Sequence, residues 1–301
     1  MADAELLEVG GRRVDLTHPD KVLYPGEGYR KRDVADHYRR IADRMLPHLR
    51  GKPLTLRRFP DGVGSEGFFQ KEASRHFPDW VRVESVPRRG SAEPVHHVVC
   101  DDAPTLVYLA AQACLEFHVG LAPVDDLDRP LLVVVDLDPP PGFDVGELRA
   151  VVRVFRDRFT DAGLEPYLQA TGGKGFHVVA PLAGRRAFDE VRAAVRELAQ
   201  DAVRDDPGRL TTEQRKDRRG DRLFLDVGRN AYGQTMIAPY SLRARDGAPA
   251  ATPLEFAELS KAAPQTYGLG NLPRRVARKA DPWADVHDDG ADFGRLPKSA
   301  G

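Results

Sequence analysis

Two short acidic motifs carry the clearest chemistry in this chain. In LLVVVDLDPPPG, Asp136 and Asp138 follow an apolar run at 131–135, the mark of a strand buried on both faces. Residues two apart on a strand point to the same side, so both carboxylates leave the sheet together. Three prolines at 139–141 and Gly142 stop the strand at once. Two anions this close repel unless a cation lies between them, and carboxylates are the ligands that magnesium and manganese prefer. In LFLDVGRN a third carboxylate, Asp226, ends a second apolar strand. Three such groups could hold two metal ions ~3.5–4 Å apart, the arrangement used for in-line phosphoryl displacement. A DxD pair alone also fits a turn with solvated acids; the apolar run before it and the matching Asp226 favour the metal reading. Aspartyl-phosphate phosphatases place DxD after a strand too, but they need a small hydroxyl residue and a flexible glycine soon after it, where this chain has proline.

A second motif, YLQATGGKGFHVVAPL, places Thr171, Gly172, Gly173, Lys174 and Gly175 between two strands. Glycines let backbone amides approach an anion closely, and the lysine adds a point charge. No Gly-Lys-Ser/Thr opens a helix, so this is not a Walker loop. His177 begins the next strand and can donate to a triphosphate oxygen. By itself the motif fits a hairpin turn with a surface lysine; beside three acids it fits a metal-bound nucleotide, which needs cationic donors on its phosphates. Arg219, Arg222 and Arg243 are further candidate donors.

The elements that must position these groups follow from periodicity. The start is strand-like, residues 17–24 read as a turn-rich loop, and a helix follows from about Arg32 with Val34, Tyr38, Ile41, Met45 and Leu49 on one stripe. Residues 53–58 and 81–86 read as strands, and 104–118 as an alanine- and leucine-rich helix ending at His118. This N-terminal lobe, 1–125, has α/β character. A catalytic lobe at 126–265 then runs β-α-β-β-α-β, with helical stripes at Val145, Leu148, Val152, Phe155, Phe159 and at Phe188, Val191, Val195, Leu198. That order is the split-βαβ, ferredoxin-like arrangement, in which two helices cover one face and a substrate can lie on the other. The fold class is α+β. Residues 266–301 are polar and weakly periodic and read as a wrapping tail, partly disordered.

Composition sets outer limits. At 301 residues, 41% hydrophobic and 30% charged, the chain can bury a substantial core, which excludes wholesale disorder. A formal net charge of −1 gives no global case for nucleic acid, so such binding needs a local basic face. Only nine lysines occur, which draws attention to a lysine wherever arginine would serve. Cys100 and Cys114 lack any disulfide or zinc spacing. The N-terminus has no apolar signal core, and no apolar run approaches the ~18–20 residues of a membrane span. A soluble, cytoplasmic protein is expected.

With DLDP, TGGKGFH and FLDVGRN in this order, the sequence resembles the archaeo-eukaryotic primase superfamily, and more closely the polymerase domain of bacterial ligase D, the end-joining repair enzyme. THPDKVLYP, EGFFQK at 66–71, LEFHV at 115–119 and APYSLRARDGAPAATPLEFAEL at 238–259 extend the likeness over about 10–265. The resemblance implies a single primase-polymerase domain over 1–301. Its activity would be manganese- or magnesium-dependent, with two ions, ribonucleotide-favouring polymerisation at gaps and broken ends. It implies metal ligation by Asp136, Asp138 and Asp226, and nucleotide binding by Thr171, Lys174 and His177, with serine commoner than Thr171. Arg219 and Arg243 match triphosphate contacts, and His118 matches a contact near the sugar. Lys21 and Lys31 match two lysines that grip a downstream 5′-phosphate, and Phe68 and Phe69 an aromatic pair that stacks on the template. Implied partners are gapped or broken double-stranded DNA, NTP or dNTP, a ligase and Ku-type end-binding proteins, at the bacterial nucleoid. The segment between LEFHV and DLD is short and lacks the aromatic and basic residues often found there. Three alternatives stay open: a stand-alone primase or excision-repair gap-filling polymerase without a ligase partner, a non-catalytic end-binding and bridging module, and a metal-dependent nuclease.

Overall fold

The computed structural model describes residues 4–293. The chain opens with the hairpin β1 (Ala4–Val9) and β2 (Arg12–Thr17), then a second hairpin, β3 (Val22–Tyr24) and β4 (Tyr29–Arg30). Residues 17–24, expected as loop throughout, therefore end in a short strand. Helix α1 (Lys31–Leu49) starts where the Asp33 carboxylate accepts the Arg30 amide at 2.7 Å. Its stripe is buried as its spacing predicts: Val34, Tyr38, Ile41, Met45 and Leu49 are all 0% exposed. Strands β5 (Leu54–Arg58), β6 (Phe68–Gln70), β7 (Val83–Val86) and β8 (Val95–Val98) follow, then α2 (Ala103–Ala111) and β9 (Cys114–Gly120).

One expectation is overturned here. The helix read over 104–118 stops at Ala111, and His118 lies on a strand. Asp102 caps the helix by accepting the Thr105 amide, but its end is made by Ala113 at φ 58°, without the glycine that usually marks such a turn. The following CLEFHVG alternates with period two. Leu115, Glu116, Phe117 and Val119 are all buried, so both faces of the strand are covered and its apolar content passes for helix.

The second unit is built on β10 (Leu132–Asp138), α3 (Val145–Asp161), β11 (Tyr167–Ala170), β12 (Phe176–Pro181), α4 (Phe188–Asp205), β13 (Leu210–Thr211) and β14 (Leu223–Asp226). The sheet order is β13-β14-β10-β12-β11, completed by β16 (Thr252–Leu254), which follows β15 (Thr235–Ile237) in the chain. The β14-β10-β12-β11 core pairs antiparallel throughout, which is the ferredoxin-like order expected from β-α-β-β-α-β. Leu148, Val152, Phe155 and Phe159 of α3, and Val191, Val195 and Leu198 of α4, are buried. The structure is thus α+β.

A side chain stands in for a strand at the end of β14. That strand pairs with β10 only as far as Asp136, and beyond it the fully buried Asn230 takes over. Its Oδ1 accepts the Val134 amide at 2.8 Å, and its Nδ2 donates to the Val134 carbonyl at 2.7 Å and the Val227 carbonyl at 3.0 Å.

The division along the chain is not sequential. Among the described residues, one compact unit runs up to Asp125 and adds Thr235–Thr252 and Tyr267–Asp281; the other is Asp126–Gln234, Pro253–Thr266 and the stretch from Pro282 onward. In the first unit β15 pairs with β9, giving the sheet β15-β9-β5-β6, and α5 (Leu272–Arg278) packs on α1. A simple boundary near 265 therefore does not describe the chain, and the expected tail is largely ordered. Trp283 is 1% exposed and donates its indole N–H to the Leu168 carbonyl at 3.0 Å, while Val286 and Phe293 are also buried. Isolated anchors of this kind leave no periodic signature. Residues 294–301 of the expected tail lie outside the described residues. Among the described residues, no helix is long and apolar enough to cross a membrane, and both cysteines are free and buried.

Asn230→Ala would leave the Val134 amide and carbonyl without these partners in the core. A loss of about 3 kcal/mol of stability is expected by urea unfolding; a change below about 0.5 kcal/mol would show that Asn230 does not carry the ladder.

Candidate active site

The three acids meet through strand register. Asp136 on β10 is the direct partner of Asp226 on β14, and Asp138 lies opposite Phe224. Asp136 and Asp138 share a face because they are two apart, and Asp226 joins them because directly opposed residues point the same way. Leu137 and Leu225, between them in sequence, are fully buried on the other face. The side chains of Asp136 and Asp226 are 17% and 22% exposed, and that of Asp138 is 45%. Partial burial and then the neighbouring Asp136 raise the Asp138 pKa; Asp226 adds to this, while Lys174 and Arg219 oppose it. The carboxylates thus act on one another electrostatically.

Arginines partly balance them. Arg229 Nε stands 3.7 Å from Asp136 Oδ2 and 3.8 Å from Asp226 Oδ2, and Arg219 Nη1 stands 3.7 Å from Asp138 Oδ2. Arg219 is firmly seated: its Nε and Nη2 donate to the carbonyls of Glu213 and Gln214 at 2.9 Å, and its guanidinium lies 3.5 Å from the centre of the Phe224 ring. Arg222 instead donates to the Arg219 and Arg218 carbonyls, so it shapes the loop that carries Arg219. Among the described residues, no group of three or more His, Cys, Asp or Glu side chains is drawn together tightly enough to enclose a metal. The donor chemistry nevertheless fits a hard divalent cation: three mutually repelling carboxylates on one face, held by ion pairs longer than a close salt bridge.

The TGGKG turn stands next to this face because β12 pairs with β10. His177 is the cross-strand partner of Asp136, and its Nε2 lies 3.5 Å from Asp136 Oδ1. The ring is buried, and its Nδ1 has no hydrogen-bond partner. Thr171 turns its hydroxyl inward: Oγ1 donates to the Gly175 carbonyl at 2.8 Å and accepts the Gly173 amide at 3.1 Å. Its local work is to hold the turn's shape. Lys174 is exposed on the turn, close enough to Asp138 to lower that group's pKa. Gly175 has no room for a side chain, because a Cβ there would come within 1.7 Å of the Leu137 carbonyl oxygen.

The remaining candidates lie in the other unit. Lys21 and Lys31 flank the β3–β4 hairpin, and the Lys31 amide donates to the Lys21 carbonyl at 2.8 Å. Lys21 Nζ pairs with Asp61 at 2.7 Å, and Lys31 Nζ donates to the carbonyl and hydroxyl of Thr17. Burial, with Lys21 and Arg58 adding to it, lowers the Lys31 pKa to about 8. Phe68 and Phe69 are 47% and 61% exposed on edge strand β6. As neighbours on a strand they face opposite ways, Phe68 over Arg58 and Phe69 over Arg57. His118 and Arg243 both reach Glu116. The contacts of Arg229, Asn230, Glu116 and Arg57 went unread in the sequence. The first two lie within FLDVGRN, while Glu116 lies within a segment taken for helix.

A family model described as "LigD, primase-polymerase domain" matches residues 30–283. The chain belongs to this family. The multifunctional non-homologous end joining protein LigD of Mycolicibacterium smegmatis is 36% identical over 250 residues, covering 82% of this chain and 32% of that protein. Its counterpart in Mycobacterium tuberculosis is 33% identical over 279 residues, covering 90% and 36%. The bifunctional LigD of Bacillus subtilis is 29% identical over 282 residues, covering 93% and 45%. The chain therefore spans about a third to under a half of the curated relatives it matches. A solved structure, the polymerase domain from Mycobacterium tuberculosis Ligase D in complex with DNA, superposes with a TM-score of 0.85 at 32% identity. It covers 92% of this chain and 99% of that one. The LigD primase-polymerase family and its α+β fold are thus what the motifs pointed to.

In this LigD family member the turn's proximity to the acids depends on Gly175. Gly175→Ala is expected to destabilise the protein by about 2 kcal/mol through overpacking against β10, read by urea unfolding. A variant as stable as wild type would mean the close approach is not a constraint.

Proposed function

We propose that the protein is a template-dependent nucleotidyltransferase that fills short gaps and extends broken DNA ends in end-joining repair, favouring ribonucleotides. The observation that carries this reading is the direct pairing of Asp136 with Asp226 across two strands, with Asp138 on the same face. Membership of the LigD primase-polymerase family supports it. Asp136, Asp138 and Asp226 would hold two divalent ions, manganese or magnesium, which when bound lower the pKa of a primer 3′-hydroxyl and neutralise triphosphate charge.

The chain's own residues do the positioning. Lys174 offers a mobile point charge to the triphosphate, and Arg219, clamped by two carbonyls, offers a fixed guanidinium. His177 adds an imidazole beside Asp136, and Thr171 fixes the turn from which Lys174 projects. His118 and Arg243 contribute sugar and triphosphate contacts. Lys21 and Lys31 receive the 5′-phosphate of the downstream strand, and the exposed rings of Phe68 and Phe69 stack on template bases, an interaction worth ~1–3 kcal/mol per base. The substrates are gapped or broken duplexes with NTP or dNTP. A ligase and Ku-type end-binding proteins are the partners, in the bacterial cytoplasm at the nucleoid.

Asp136→Ala or Asp138→Ala should abolish primer extension on a gapped duplex while gel-shift affinity for that duplex stays near wild type. Robust extension by either variant would refute the metal assignment.

Lys21→Ala with Lys31→Ala should erase the preference for gaps bearing a 5′-phosphate over a 5′-hydroxyl. The preference should also depend on pH. With its pKa lowered to about 8, Lys31 is charged below that value and loses its proton above it. Phosphate binds the charged form, so the wild-type preference should fall between pH 7 and 9. A pH-independent ratio in that range would remove Lys31 from the pocket.

A further inference from the structure

Glu116, on β9, is 1% exposed and stands at the meeting point of basic groups from three segments. Its Oε1 lies 3.3 Å from Arg57 Nη1 on β5 and 3.3 Å from Arg243 Nε beyond β15, and it accepts the Ala244 amide at 3.0 Å. Its Oε2 meets His118 Nε2 at 3.0 Å. Burial alone would push this carboxyl's pKa up; His118, Arg243 and the Ala244 amide outweigh it and hold the group far below the ordinary carboxylate range.

The contacts continue outward to the surface. Register carries Phe69, Arg57 and Glu116 in one row across β6, β5 and β9. The Arg57 guanidinium lies 5.2 Å from the Phe69 ring and 4.9 Å from the Phe59 ring, so it is held by aromatic faces as well as by the carboxylate. The Phe69 ring also meets His118 edge-on, with centroids 5.6 Å apart. Phe69, Arg57, Glu116 and His118 therefore form a closed circuit of direct contacts, with Arg243 joined to the same carboxylate.

We propose that Glu116 is a positioning residue that couples the template platform at Phe69 to the nucleotide contacts at His118 and Arg243, an inference that rests on the polymerase reading above. Two oxygens serve three hydrogen-bond donors and the Arg243 charge, so displacing one partner changes the geometry available to the others. Without an anion at their centre, Arg57 and Arg243 would repel across a buried site where charge interactions are strong. A base stacked on Phe69 presses on Arg57 and His118 together, and both report to Glu116.

The test is Glu116→Gln, which keeps the shape and removes the charge. Three quantities are measured on the full chain: affinity for a fluorescent ribonucleoside triphosphate with manganese, the nucleotide-dependent signal of 2-aminopurine at the template position of a gapped duplex, and the preference for a 5′-phosphate. Nucleotide affinity should fall about tenfold, and the nucleotide-dependent 2-aminopurine signal should vanish. The 5′-phosphate preference should persist, and Glu116→Asp should recover part of the loss. If Glu116→Gln does not fold, Arg57→Met removes one spoke from the partly exposed side and should weaken nucleotide binding and the signal in the same direction. Wild-type affinity together with an intact signal in whichever variant folds overturns the inference. A wild-type protein that binds nucleotide and duplex but never extends DNA overturns the polymerase reading alone, since the binding comparison still decides the role of Glu116. A wild-type protein that binds no nucleotide overturns both.

Discussion

The arrangement of the second unit turns on one unfavourable contact: two carboxylates, Asp136 and Asp226, set directly opposite each other on adjacent strands. Like charges in that position destabilise a sheet, so the surroundings are organised to tolerate them. Leu137 and Leu225 anchor the opposite face in the core, Asn230 continues the ladder where β14 ends, and Arg229 places one guanidinium near both acids. None of these removes the repulsion. They keep it in place, so the face stays electrostatically strained.

Charge is handled in the opposite way in the other unit. Glu116 is more deeply buried than any of the three aspartates, yet it is surrounded by donors and firmly ionised. The aspartates are partly exposed and held by long ion pairs; Glu116 is enclosed by close partners. The first pattern suits a group that exchanges ligands, and the second suits a group that holds others still.

Much of this was legible in the sequence, for identifiable reasons. The apolar run before DLD, the helical stripes of α1, α3 and α4, and the β-α-β-β-α-β order carry strong periodicity, and together they dictate which strands become neighbours. The pairing of Asp136 with Asp226 followed from that order. What was not legible depends on contacts that periodicity cannot encode. A helix ended by alanine in a left-handed conformation gives no stop signal, so β9 read as helix and Glu116 was missed. Asn230 acts through its side chain amide, Arg229 through register, and Trp283 as a single anchor in a polar stretch. The interleaving of 235–252 and 267–281 into the first unit is likewise a matter of tertiary packing.

That interleaving bears on how the protein is made. The first unit contains the beginning of the chain, but β9 finds its partner β15 only after the bulk of the second unit has been traversed. Helix α5 reaches α1 later still. During synthesis the N-terminal segment must therefore wait, with an edge of β9 unpaired and the α1 surface uncovered, while the ferredoxin-like core assembles from a nearly continuous stretch. Non-local pairing of this sort slows folding and leaves intermediates open to aggregation. Both units therefore wait for the C-terminal stretch: β15 and α5 complete the first, and Trp283, seated against Leu168, completes the second.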